Sequence, residues 1–137
     1  MEAQMSVIKA DYALELGRVR QLLLEIGEAA TTEEKVEMIE ALRAALENHS
    51  HLEESRMPPA LFLAPAPVRK VADQLLATLE EARYDHQELK DLLKEVDDAV
   101  NESEVEENLA SLTDCFERHL KVCERTLVPM LDKLQVA

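Results

Sequence analysis

The stretch that decides the fold is LASLTDCFERHLKVCERTLVPMLDKL, residues 109–134. In it Leu109, Leu112, Phe116, His119, Cys123, Thr126, Met130 and Leu134 recur at steps of three and four. That period lays side chains along one face of an α-helix. Asn101 with Glu104 supplies a helix start upstream, and Pro129 is expected to kink or end the last turns. Working outward, the same period appears three more times. Helix one carries Met5, Ile8, Tyr12, Leu16, Val19, Leu23 and Ile26, with Gly27 suited to a stop. Helix two opens on the capping pair Thr31 and Glu34 and carries Val36, Ile39, Leu42, Leu46, His49, Glu53 and Met57. Pro58 and Pro59 are expected to end it, since proline lacks an N–H and restricts the residue before it. Helix three carries Leu75, Leu79, Ala82, His86, Leu89, Leu93 and Val96. Four amphipathic helices, each too apolar on one face to stand alone, predict an all-α fold. The arrangement that buries every stripe is an up-down-up-down antiparallel four-helix bundle, one domain over residues 1–137.

Composition agrees and narrows the function. The chain has 137 residues, 47% hydrophobic and 32% charged, with two Gly and no Trp, which suits helices rather than a sandwich or barrel. Fifteen basic against 29 acidic residues leave a net charge of −14. Such a surface repels phosphate backbones and anionic lipid, so neither nucleic acid nor a membrane is an expected partner. The apolar run from Pro59 to Val68 is short and broken by prolines, so it predicts no membrane span. Cys115 and Cys123 lie eight apart on one helix, too distant to bond each other. Free thiols and the lack of a signal peptide lead us to expect a cytoplasmic setting.

The informative residues are polar ones on apolar stripes. The chain reads as two similar halves. Asp11-Tyr12 and His49-x3-Glu53-Glu54 with Met57 and Pro59 match Asp85-His86 and His119-x3-Cys123-Glu124 with Leu127 and Pro129. Superposition pairs Tyr12 with His86, His49 with His119, and Glu53 with Cys123. Residues four apart share a helix face, so His49 with Glu53, and His119 with Cys123, point into the core together. Tyr12 and His86 add one side chain from each remaining helix. Buried imidazoles and a carboxylate need partners, and a metal ion accepts their lone pairs.

At these residues the sequence resembles the hemerythrin-like (HHE cation-binding) domain family. Its pattern is a His on helix one, His-x3-Glu on helix two, a His on helix three and His-x3-Glu on helix four. The resemblance implies a non-haem iron pair, one ion on His49 and the helix-one ligand, the other on His86 and His119, bridged by the carboxylates. It also implies a small ligand at the metal: dioxygen, nitric oxide or peroxide, in members that bind or sense gases, sense iron or handle peroxide. Two positions depart from the pattern. Tyr12 replaces a His and Cys123 replaces the second bridging Glu, while His49, Glu53, His86 and His119 remain. Three outcomes stay open. One is an altered di-iron centre with Tyr12 and Cys123 as ligands; another is a single metal on the three histidines and Glu53 with Tyr12 as a hydrogen-bonding neighbour. The last is a metal-free core acting on a protein partner through the acidic surface. Glu124 offers a substitute carboxylate, and peroxidase- or oxidase-like chemistry is a further reading. Reversible dioxygen carriage is disfavoured in each case, because a thiol beside an oxygen-binding iron oxidises.

Overall fold

In the computed structural model, residues 2–134 are described, and all the regular structure among them is helical. The helices are α1 (Glu2–Glu28), α2 (Thr32–Glu37), α3 (Ile39–His51), α4 (Met57–Phe62), α5 (Arg69–Asp98), α6 (Glu102–Val122) and α7 (Val128–Leu134). Two π turns, Leu52–Arg56 and Cys123–Leu127, splice α3 to α4 and α6 to α7. The result is four rods, α1, α2 through α4, α5, and α6 with α7, packed as the expected bundle. Most of the predicted stripe residues lie in the core. Leu42, Leu75, Leu89, Leu112, Phe116 and Val19 are wholly enclosed. Each such side chain contributes about 1.5–3 kcal/mol by leaving water.

Helix starts follow the sequence signals. Thr31 Oγ1 accepts from Glu34 N at 3.2 Å, and Asn101 Oδ1 accepts from Glu104 N at 2.9 Å. The two glutamates reach back to the N–H groups of Ala30 and Val100, one residue before each cap. Thr32 and Lys35 of α2 bond Glu102 and Glu106 of α6, so the overhanging first turn of α6 rests on α2. Ion pairs between rods include Arg43 with Asp97 and Lys9 with Asp132.

Helix α1 ends at Glu28, next to Gly27 as expected, without a left-handed turn. Three other expectations at helix ends are corrected. Helix two is interrupted at Met38, and Val36, on the short α2, faces solvent rather than the core. Pro58 and Pro59 do not end the second rod, which continues to Phe62. Pro129 likewise sits inside a rod that reaches at least Leu134. The reason for the last two is the π turn before each proline. Met57 N–H bonds Leu52 O, and Val128 N–H bonds Cys123 O, five residues back instead of four. A wider turn moves the carbonyls that a proline ring would otherwise strike, and it inserts one residue into the helical count. The inserted residue shifts the buried face: beyond Cys123 it carries Leu127, Leu131 and Leu134, not Thr126 and Met130.

The two caps are chemically alike and hold equivalent rods. Thr31→Ala and Asn101→Ala are each expected to lower stability by about 1 kcal/mol in urea denaturation, with helix content of the folded state unchanged by circular dichroism.

Candidate metal centre

Six predicted side chains converge midway along the bundle. Tyr12 comes from α1, His49 from the end of α3, and Glu53 from the π turn that follows. His86 comes from α5, His119 from α6, and Cys123 from the second π turn. All six are buried, and His49, Glu53 and Cys123 are fully enclosed. Each i, i+4 pair therefore bridges the junction of an α-helix with a π turn, an irregularity often found at functional sites.

Glu53 stands at the middle. Its Oε1 lies 2.7 Å from His49 Nε2 and 3.4 Å from His119 Nε2. The same oxygen accepts from the Tyr12 hydroxyl at 3.1 Å and from the Cys123 thiol at 3.1 Å. Its Oε2 faces His86 Nε2 at 3.2 Å. The Nε2 atoms of His49 and His119 are 3.0 Å apart. The ligand atoms of His49, Glu53, His119 and Cys123 all lie within 4.8 Å of one another.

Carboxylates behind two of the imidazoles set their orientation. Asp85 Oδ2 is 3.1 Å from His119 Nδ1, and Glu54 Oε2 is 2.9 Å from His86 Nδ1. Arg83 in turn reaches Glu54 at 3.3 Å. A hydrogen on Nδ1 of His119, directed at Asp85, leaves its Nε2 aimed at the cluster. Two imidazole nitrogens, a carboxylate and a thiol meeting in a dry core suit a metal ion, and the residues present fit one.

The electrostatics agree. Burial pulls the Glu53 carboxyl upward, but hydrogen bonds from His119, His49 and His86 outweigh it and hold the group well below the usual carboxylate range. Burial keeps His49 neutral by lowering its pKa. For His119 burial also acts downward, yet Glu53 and Asp85 prevail and raise it. Burial, reinforced by the Glu53 charge, pushes the Tyr12 hydroxyl and the Cys123 thiol far above their ordinary ranges. Cys115 is buried at the edge and raised to about 11, mainly by desolvation, consistent with an inert thiol.

The sequence marks Glu54 as a surface or imidazole-steadying carboxylate but gives Asp85 no role of its own. Asp85 and Glu54 each orient a histidine, and the repeat had already marked both positions. Glu124, expected as a substitute carboxylate, is instead turned outward onto Arg20. Glu15 is buried with its Oε1 unpartnered, and Ser50 Oγ is likewise buried without a hydrogen bond. His51, two residues beyond His49, faces solvent. His86 and His119, unlevel by residue count from the intervening turn, come together with ring centroids 4.9 Å apart.

With this arrangement in view, comparison with known proteins gives a match to the hemerythrin HHE cation-binding domain over residues 14–131. The chain belongs to that family. The matched span holds His49, Glu53, His86, His119 and Cys123 and begins two residues beyond Tyr12. No match is found among curated proteins or among solved structures. Beside the hemerythrin-family site lies a surface pocket of about 250 Å³ lined by Glu53, Glu54, Pro58, Phe62, Leu76, Leu79, Glu80 and Arg83. No helix among the described residues is long and apolar enough to cross a membrane.

Glu15 offers a pH test. Burial raises its pKa, so the folded chain favours the neutral form. Stability from this residue is greatest below the ordinary carboxyl pKa and falls as pH rises through the raised value. Glu15→Gln is expected to stabilise the protein by about 1 kcal/mol at neutral pH, with the gain vanishing in acid, as read from thermal melts across pH.

Proposed function

We propose that this hemerythrin-family protein binds non-haem iron and responds to a small ligand (dioxygen, nitric oxide or peroxide) or to iron itself, rather than carrying dioxygen. The observation behind this reading is the buried meeting of His49, Glu53, His119 and Cys123, with Asp85 holding His119 from outside. Bound iron supplies a redox-active, Lewis-acidic centre. The protein supplies the rest. Without a metal, His49 and His119 hydrogen-bond Glu53 and hold its carboxylate ionised; with iron bound they would turn those same Nε2 atoms to the ion as lone-pair donors beside the carboxylate. Tyr12 donates to that carboxylate, and His86 lies between Glu53 and Glu54. Leu42, Leu89 and Leu112 belong to the surrounding core, which excludes bulk water. The pocket beside Glu53 and Arg83 is the route by which a diatomic or peroxide approaches.

Cys123 decides against carriage. A sulfur 3.5–3.6 Å from both inward nitrogens sits where any reactive oxygen ligand would meet it. Oxidation of that thiol is chemically incompatible with repeated loading and release, and well matched to a sensor that changes state.

Metal analysis of the purified protein, with anaerobic titration of ferrous iron, tests the proposal. Iron uptake that alters the absorption spectrum on exposure to air or nitric oxide supports it; no uptake leaves only a metal-free bundle. Asp85→Asn is expected to weaken iron binding about 10–100-fold, whereas Asp11→Asn, which removes a carboxylate engaged by Arg56, leaves it unchanged.

A further inference from the structure

The repeat predicts a symmetric site, and the structure is not symmetric. Asp85 orients His119; its counterpart Asp11 is bound to Arg56 at 2.6 Å and orients nothing in the core. Glu54 holds His86; its counterpart Glu124 is bound to Arg20. His49 Nδ1, the atom Asp11 would serve by the repeat, is buried without a hydrogen-bond partner. The half of the site around Tyr12 has lost the carboxylates that steady ligands in the other half.

The inner distances point the same way. Four donor atoms have six separations. Around Glu53 Oε1 they are 2.7 Å to His49 Nε2, 3.4 Å to His119 Nε2 and 3.1 Å to Cys123 Sγ. The other three are 3.0 Å between the two Nε2 atoms, and 3.6 Å and 3.5 Å from the sulfur to each. A tetrahedral cation with ordinary Zn-like bond lengths sets its donors roughly 3.3–3.7 Å apart. Both sulfur–nitrogen edges already fall in that range. The shorter edges are hydrogen-bond lengths that an ion would widen by roughly 0.2–0.6 Å. In contrast, ions in a paired site stand about 3.5–4 Å apart. Nitrogens 3.0 Å apart do not suit histidines that serve different ions.

We propose that the centre is a single four-coordinate site for a divalent cation, made by His49, Glu53, His119 and Cys123, with Tyr12 and His86 outside the coordination sphere. This rests on the metal-binding reading above and replaces the ion pair that the family pattern implies. Tyr12 and His86 become positioning residues, since each engages Glu53 rather than an open corner of the cluster. On binding, the Cys123 S–H bond breaks and its proton leaves to solvent, any proton His119 holds on Nε2 toward Glu53 leaves with it, and His49 carries its proton on Nδ1, so that the sulfur and both Nε2 lone pairs go to the cation. Thiolate, carboxylate, two neutral imidazoles and a dication sum to zero charge, which removes the main penalty of burying the two anions.

Anaerobic titration of the metal-free full-length chain with Co²⁺ tests this. The expected result is one cobalt per chain, with the intense visible bands of a four-coordinate ion and a near-ultraviolet sulfur-to-cobalt band. Cys123→Ser removes the sulfur band, and His86→Ala keeps one cobalt with its spectrum largely intact; circular dichroism confirms that both variants are helical. Two cobalt ions per chain, weak six-coordinate bands without the sulfur transition, or loss of the ion in His86→Ala alone would overturn the single-site assignment. The iron reading survives those outcomes. Failure to take up both Co²⁺ and Fe²⁺ overturns the two together.

Discussion

A carboxylate in a dry core must be answered by positive or hydrogen-bonding groups, and Glu53 organises this bundle around that requirement. It touches a side chain from each of the other three rods: Tyr12, His86, and His119 with Cys123. No aliphatic replacement would keep those polar groups satisfied. The rods are held together mainly by leucine burial, but their axial register at the centre is set by these contacts. A shift of one helical turn would strand several buried polar atoms at once.

The duplicated sequence gives two halves with a common plan, and their differences carry the functional meaning. Both halves have a capped helix start, a histidine, a ligand four residues on, a π turn and a proline. Where the second half keeps a histidine on its lone helix, the first has a phenol. Outer carboxylates follow suit: Asp85 and Glu54 face inward to imidazoles, whereas Asp11 and Glu124 are drawn outward by Arg56 and Arg20. Arginine pairing of this kind contributes little to stability at a surface. Its consequence here is to leave the Tyr12 side without groups that orient a metal ligand.

Much of this was legible in the residues. The positions of Tyr12, His49, Glu53, His86, His119 and Cys123 on apolar stripes announced a buried polar cluster, and all six meet. The caps at Thr31 and Asn101 were readable from side-chain chemistry alone. What misled was proline. Pro58 and Pro59 read as terminators, and Pro129 as a kink or an end, because the sequence rule assumes a preceding α-turn. A π turn accommodates each of them, extends the rod and rotates the buried face, so that Leu127 and Leu131 are enclosed where Thr126 and Met130 were expected. Glu15 lies three residues from Tyr12 and four from Val19, on the buried face by the same period, but its charge argued for the surface.

Helical class, number of rods and the identity of the converging donors follow from the sequence, because they depend on a period of 3.6 residues and on the chemistry of individual side chains. Which donors stand close together was decided only by tertiary structure. So was which carboxylates turn toward an imidazole and which toward an arginine. Those choices depend on separations between different rods, and no count along a single helix contains them.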